Sequence, residues 1–273
     1  MKILVFGASG MLGRYVCSRM SKEHSVAGLT RNELNLLDIK KSQLEATLEL
    51  YQPEIVINCA GIIKSRSDIA DTEFIYVNSI FPRLLAKSCK EKKIKMFHIS
   101  TDCVYDGLRT SFPYTETDHH TATDIYGKSK SLGENEDCCV IRTSIVGEEI
   151  GQTRSLISWA KSQKAKTIQG YMNHWWNGVS CLQLADFLYL MLKDDVYWTG
   201  VRHVFSPNIV NKYELVKQIS DVWDLNLNVD ERFTDTSCFR ALGTNNEEWN
   251  EYLQLNIPDL KEQLVKMKDF KLV

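Results

Sequence analysis

The chain has 273 residues, 25% of them charged and 44% hydrophobic, with a formal net charge of -2. That length suffices for one large doubly wound domain with a smaller lobe attached, and the balanced charge excludes the basic stripe of a general nucleic-acid binder. No apolar run nears the ~18 residues of a membrane span, so neither nucleic acid nor a membrane is an expected partner.

The opening, MKILVFGASG, reads as a strand entering a glycine turn. It is too brief for a secretory apolar region and carries no cleavage pattern, so a cytoplasmic protein is expected. Strands then alternate with amphipathic helices. KILVF precedes the helix LGRYVCSRM, HSVAGL precedes SQLEATLELYQ, and EIVINCA precedes the long helical span FIYVNSIFPRLLAKSCKEK. The strand KMFHIS, the helix IYGKSKSLGENE and the strand CCVIRTS follow. Short apolar runs separated by helices predict a parallel sheet of the α/β, Rossmann type.

Past Val146 the rhythm changes. A helix (RSLISWAKSQKA), a loop rich in Trp and Asn (GYMNHWWNGVS), another helix (LQLADFLYLMLK) and a last strand (VRHVFS) are expected, then a polar tail with mixed helices. The boundaries that follow are a dinucleotide-binding domain over 1–146 plus about 178–206, and a smaller, substrate-binding lobe over about 147–177 and 207–273. The eight cysteines are scattered without a CxxC pair and read as reduced, buried thiols rather than a disulfide or zinc framework. His119 and His120 are adjacent in a polar loop and read as solvated.

Gly7, Gly10 and Gly13 form G-x-x-G-x-x-G between the first strand and first helix. The first glycine permits the turn, the second lets backbone approach a pyrophosphate, and the third lets helix and strand pack closely. Ser9, Met11 and Leu12 join them as cofactor-binding candidates. At the end of the second strand stand Leu29, Thr30 and Arg31, where a carboxylate would select NAD. An arginine beside a hydroxyl suits a 2′-phosphate, so NADPH is the expected cofactor. Asp38 and Ile39 are expected near the adenine, and Asn58, Cys59, Ala60 and Gly61 beyond the third strand.

Tyr126 and Lys130 lie four apart at a helix start, on one face. An ammonium there is expected to lower the phenol's pKa and make an acid that protonates an alkoxide. Ser100 and Thr101, at the end of the KMFHIS strand, can present a hydroxyl to the same carbonyl oxygen.

These residues resemble the extended short-chain dehydrogenase/reductases, and within them dTDP-4-dehydrorhamnose reductase and its relatives. The likeness runs through MKILVFGASGMLGR, NCAG, Asn78 in YVNSIFPRLLA, ISTDCVYDG, Tyr126 to Lys130 followed by GE, RTS, LQLAD, and weakly FRALGTN. It implies NADPH-dependent reduction of a 4-keto-6-deoxyhexose carried on a nucleoside diphosphate. Thr101 and Tyr126 would hold the keto oxygen, and Lys130 the nicotinamide ribose. Asn78 would join the cofactor set, and Asp102, Cys103, Arg142, Ser144, Trp176, Asn177 and Arg240 the substrate set. The chain has Tyr15 where the family's magnesium-linked dimer has a glutamate, so no structural metal is expected, while a homodimer stays open. It has Ile145 where the family has a sugar-facing tryptophan, which leaves an acetamido sugar or a UDP carrier equally open. Trp175 or Trp176 could replace that ring.

Cys103 raises a second reading, a bifunctional epimerase/reductase resembling GDP-fucose synthase, in which a thiol at this place exchanges protons beside the ketone. Such enzymes need a second titratable group, and the matching positions here fall around Gln152 and Trp159, neither able to serve. The expectation is therefore that Cys103 touches sugar without catalysing. A third reading, of another class, is a non-catalytic NADP-binding regulatory subunit, like the β subunit of methionine adenosyltransferase.

Overall fold

Continuous apolar strands buried on both faces dictate the architecture. The computed structural model describes residues 1–63, 69–110, 112–149 and 154–272; Gln152 lies outside them. The first half runs β1 (Lys2–Phe6), α1 (Met11–Met20), β2 (Ser25–Leu29), α2 (Lys41–Tyr51) and β3 (Ile55–Asn58). Next come α3 (Asp71–Ile75), a π-helical turn at Tyr76–Ile80, α4 (Phe81–Glu91), β4 (Lys95–Thr101), α5 (Ile125–Gly133) and β5 (Cys139–Thr143). The second half holds β6 (Ile145–Val146), α6 (Leu156–Ser162), β7 (Thr167–Tyr171), β8 (His174–Trp176), β9 (Val179–Ser180) and α7 (Cys181–Lys193). It closes with β10 (Gly200–His203), β11 (Val210–Asn211), α8 (Lys212–Val222), β12 (Asn228–Arg232), β13 (Cys238–Arg240), α9 (Glu247–Asn256) and α10 (Leu260–Asp269).

Six parallel strands form the central sheet in the order β2-β1-β3-β4-β5-β10. Alternate residues feed two cores. Ile3, Val5, Ile57 and Ile99 face α1 and α7, while Leu4, Phe6, Val56 and Val140 face α2 and α4. The order reverses between β2-β1 and β3, and a ligand crevice belongs outside the carboxyl ends at such a switch point. Gly7 and Cys59 stand there.

The described residues carry no helix long and apolar enough to cross a membrane. All eight cysteines are free; Cys89, Cys138, Cys139 and Cys181 are buried, whereas Cys17, Cys59, Cys103 and Cys238 are only partly so.

Three expectations need correction, the first being the tail after Pro207, which carries the strands β11, β12 and β13 besides its helices. The Trp/Asn-rich segment is not a loop: it carries the end of β7, then β8 and β9, with β8 between β11 and β13. Strands this short show no usable alternation in sequence. The helix expected at RSLISWAKSQKA is shorter, because Ser155 caps it by accepting from the Ser158 N–H and Ala165 adopts φ 60 just beyond its end.

The glycine turn is tightly packed. A Cβ on Gly13 would sit 2.1 Å from the Gly7 carbonyl oxygen. Gly13→Ala is therefore expected to cost roughly 1–3 kcal/mol and lower the melting temperature, as read by thermal denaturation. An unchanged melting temperature would show that α1 moves off β1 freely.

Candidate active site

The crevice is one continuous groove in two parts. A cavity of about 200 Å³ runs over the glycine turn, with Gly7, Ser9, Gly10, Arg31 and Leu36 in its wall. It opens into a larger one of about 450 Å³ that reaches Thr101, Cys103, Tyr126 and Lys130. Gly10, Arg31, Cys59, Ala60 and Gly61 border both. Met11, Leu12, Ser100, Asp102 and Ser144 line the larger part.

β4 delivers Thr101 to the groove and turns at once into a 3₁₀ turn, Asp102–Val104. The Thr101 hydroxyl accepts from the Cys103 N–H at 3.2 Å and donates to Asp102 Oδ1 at 3.2 Å. Tyr126 completes the cluster by a hydrogen bond with Thr101. Asp124 caps α5 by accepting from the Gly127 N–H at 3.0 Å. Gly127 then lets α5 touch the turn: a Cβ there would lie 2.2 Å from the Cys103 carbonyl oxygen. On the next turn the Lys130 ammonium donates to the Ile99 carbonyl at 2.6 Å.

Burial governs the acid–base groups. It pushes the Tyr126 phenol above its ordinary range, with the Cys103 charge next, while the Thr101 bond works the other way. The lowering expected from Lys130 is not found, since the phenol is shifted by burial, Cys103, Thr101, Asp102 and Asp124, and Tyr126 is a protonated acid at neutral pH. Burial lowers Lys130 to about 8, against the opposing pull of Glu134 and then Cys59. Cys103 is pushed up to about 12, by burial first and by Asp102 second. Asp102 is also raised by burial, with Arg240 and Lys212 pulling it down.

Several residues expected in the site have other work. Ser100 lines the groove, but its hydroxyl donates to Glu134 Oε1 at 2.6 Å rather than toward a ketone. Arg142 does not reach the pocket mouth. Its side chain is 2% exposed and grips Glu134 through Nε at 3.0 Å and Nη2 at 2.6 Å. Arg142 also donates to His203 Nε2 at 2.9 Å, His120 Nε2 at 2.8 Å and the Tyr105 hydroxyl. His120 is therefore part of a polar network, not a solvated loop residue. His203 is lowered to about 3 by burial and then by Arg142, so it stays neutral and donates through Nδ1 to the Gly243 carbonyl.

Asn78 is buried, and its amide ties Ile62 N and O and the Ser129 hydroxyl instead of lining the groove. Ile39 is core, and Asp38 is exposed outside the lining while Leu36 and Leu37 occupy the wall. The Thr30 hydroxyl donates to Glu33, not toward a phosphate, and this bond lowers the Glu33 carboxyl. In the lobe, Trp176 is 4% exposed and packs in the main core, and Asn177 spends its amide on Leu242 N and O at 2.8 Å each. Arg240 holds the Tyr105 and Asp106 carbonyls, yet its charge still reaches Asp102 and Cys103.

The sequence reasoning missed Glu134, Tyr105, His203 and Lys212. The Lys130-x-x-x-Glu134 spacing on one helix was a signal for the first. Lys212, set with its ammonium 4.9 Å over the Trp176 ring, offered none.

Comparison with known proteins shows the family and the fold. A family model, the RmlD substrate binding domain, matches residues 1–238. The chain belongs to that family. Within the RmlD family it is similar to a dTDP-4-keto-6-deoxy-D-glucose reductase of Streptomyces niveus, 25% identical over 223 residues, covering 78% of this chain and 76% of the relative. It is also similar to the methionine adenosyltransferase 2 subunit beta of Xenopus tropicalis, 27% identical over 254 residues, covering 82% and 72%. The crystal structure of dTDP-4-dehydrorhamnose reductase from Bacillus anthracis in complex with NADP shares the fold, with TM-score 0.82, 20% identity and 98% of each chain covered.

A thiol held near 12 is almost wholly protonated at pH 8, and only the thiolate attacks electrophiles. Cys103 is therefore expected to react with iodoacetamide at least about 100-fold more slowly than a free thiol, followed site by site by mass spectrometry. A free-thiol rate would contradict the environment described.

Proposed function

We propose that this protein uses NADPH to reduce the 4-keto group of a nucleoside-diphosphate 4-keto-6-deoxyhexose. One observation carries the reading: Thr101, Tyr126 and Lys130 line the same groove that the glycine turn and Arg31 border.

A dinucleotide fits the residues present. Gly10 leaves backbone open to a pyrophosphate at the α1 N-terminus, and Arg31 lines the cavity, where its guanidinium suits a 2′-phosphate. When bound, the reduced nicotinamide supplies a hydride. Thr101 and Tyr126 orient the keto oxygen, and the Tyr126 phenol gives its proton to that oxygen as negative charge develops. An alkoxide is a much stronger base than a phenolate, so a raised phenol still transfers. Lys130, one turn along α5, brings the positive charge that balances the phenolate left behind. Residues 147–177 and 207–273 would hold the nucleotide sugar, with Lys212 and Arg240 supplying cationic charge for its diphosphate beside Asp102. Cys103, kept as a thiol, is read as a contact, so the reaction is reduction without epimerisation.

Tyr126→Phe is expected to keep NADPH binding and lose turnover by roughly 100- to 10,000-fold, measured with a dTDP-4-keto-6-deoxy sugar. Turnover near the wild-type rate would overturn the mechanism. Arg31→Ala should weaken NADPH about 10-fold or more and leave NADH nearly unchanged, since one lost charge-assisted hydrogen bond is worth about 1.5–3 kcal/mol. Equal losses for both cofactors, by fluorescence titration, would make Arg31 a loop support only. The likeness to a methionine adenosyltransferase subunit beta favours a second reading, a cofactor-holding subunit without turnover. The wild-type assay separates the two.

A further inference from the structure

The carboxylate of Glu134 is a buried, fully engaged charge near the groove that the mechanism above does not use. Its side chain is 6% exposed, at the end of α5. Oε1 accepts from the Ser100 hydroxyl at 2.6 Å and from Arg142 Nε at 3.0 Å. Oε2 accepts from Arg142 Nη2 at 2.6 Å and lies 3.5 Å from His120 Nε2. Arg142 alone would neutralise it. The further bond to Ser100 is what links it to the site, because Ser100 lies between Ile99, whose carbonyl takes the Lys130 ammonium, and Thr101. Lys130 on α5 and Glu134, which caps the end of that helix, thus grip consecutive residues of β4.

We propose that Glu134 is a positioning residue: one buried carboxylate holds the end of β4 against α5 through Ser100, and supplies the negative charge that faces the Lys130 ammonium. This rests on the reductase reading for its consequence in turnover. Charged and titratable groups face it from several elements: Arg83 of α4 donates to the Glu134 backbone carbonyl at 3.1 Å, and Glu116, before α5, acts on Arg142. His98 on β4 is neutral, lowered by burial and then by the Lys130 charge, and the thiol of Cys59 beyond β3 is raised by burial. Arg142 and His203 come from β5 and β10, and Tyr105 and His120 from the loops before α5. Among these neighbours, Glu134 is the carboxylate whose charge acts on Lys130, and that charge holds the ammonium protonated against burial. Asn78, through Ser129, supports α5 from the opposite side without charge.

The test is Glu134→Gln, which keeps shape and removes charge. The alkaline limb of kcat, and of NADPH affinity measured by fluorescence, should both move down by roughly one pH unit. At neutral pH, kcat should fall roughly 10- to 100-fold with little change in the sugar's KM. Ser100→Ala, which cuts the grip on β4 and leaves the charge, should lower kcat without moving either limb. A lone glutamine beside a buried guanidinium can prevent folding, whereas removing both partners of a buried pair is often tolerated. Glu134→Gln/Arg142→Met therefore provides the second readout, and the limb should move in it as well. Limbs that stay in place in both Glu134 variants, with activity lost only in proportion to melting temperature, would reduce Glu134 to a fold support and overturn the proposal. A wild-type protein without turnover would remove the reductase reading alone, since the NADPH-binding limb still decides the role of Glu134.

Discussion

The seat of α5 on the end of β4 is the contact on which the site depends. Gly127 lets the helix backbone meet the Cys103 carbonyl with no room for a side chain. Gly133 does the same against the Asn78 carbonyl, where a Cβ would stand 1.9 Å away. Two glycines in nine helical residues are costly in backbone entropy, and close approach is the return. Because the helix lies so near, Tyr126 reaches Thr101, Lys130 reaches Ile99, and Asn78 in its π turn reaches Ser129. An extra residue per turn in a π segment is frequent at functional sites, and here it carries the amide that locks the loop after β3 to α5.

That closeness also sets the electrostatics. The Thr101–Tyr126–Lys130 corner is largely surrounded by protein, so burial dominates each titration: phenol and thiol rise, ammonium falls. Arg142 and Glu134 answer the same problem differently, as a fully hydrogen-bonded pair. Such a pair adds little net stability compared with apolar packing, but removing one partner is severe. Its extension through Tyr105, His120 and His203 joins β5, β10 and the loop before α5 into one rigid wall.

The inner strands β1, β3, β4 and β5 were legible because they are buried on both faces and read as apolar runs, whereas β2 and β10 are partly buried edge strands, announced by their place in the strand–helix alternation. The glycine turn, Arg31, Thr101, Tyr126 and Lys130 were legible because spacing along one helix or one turn determines where side chains meet. What spacing cannot report is which partner a hydroxyl or guanidinium takes. Ser100 and Arg142 are next to the site in sequence and pair with each other through Glu134, and Asn177 is spent on the backbone of Leu242, 65 residues away. The lobe was the least legible part. Its strands are two to five residues long and pair across long separations, as β8 does with β11 and β13, so no local pattern announces them.

The central claim is that this groove directs hydride to the sugar's C4 while Tyr126 protonates the oxygen. The direct measurement is isotopic: supply NADPH carrying deuterium at the transferred position with a dTDP-4-keto-6-deoxy sugar, and locate the label by NMR. The account predicts deuterium on C4 of the product, with none at C3 or C5 when the solvent instead carries the label. Reduced cofactor that binds while no carbon gains deuterium, or solvent label at C3 or C5 that disappears in Cys103→Ser, would contradict it.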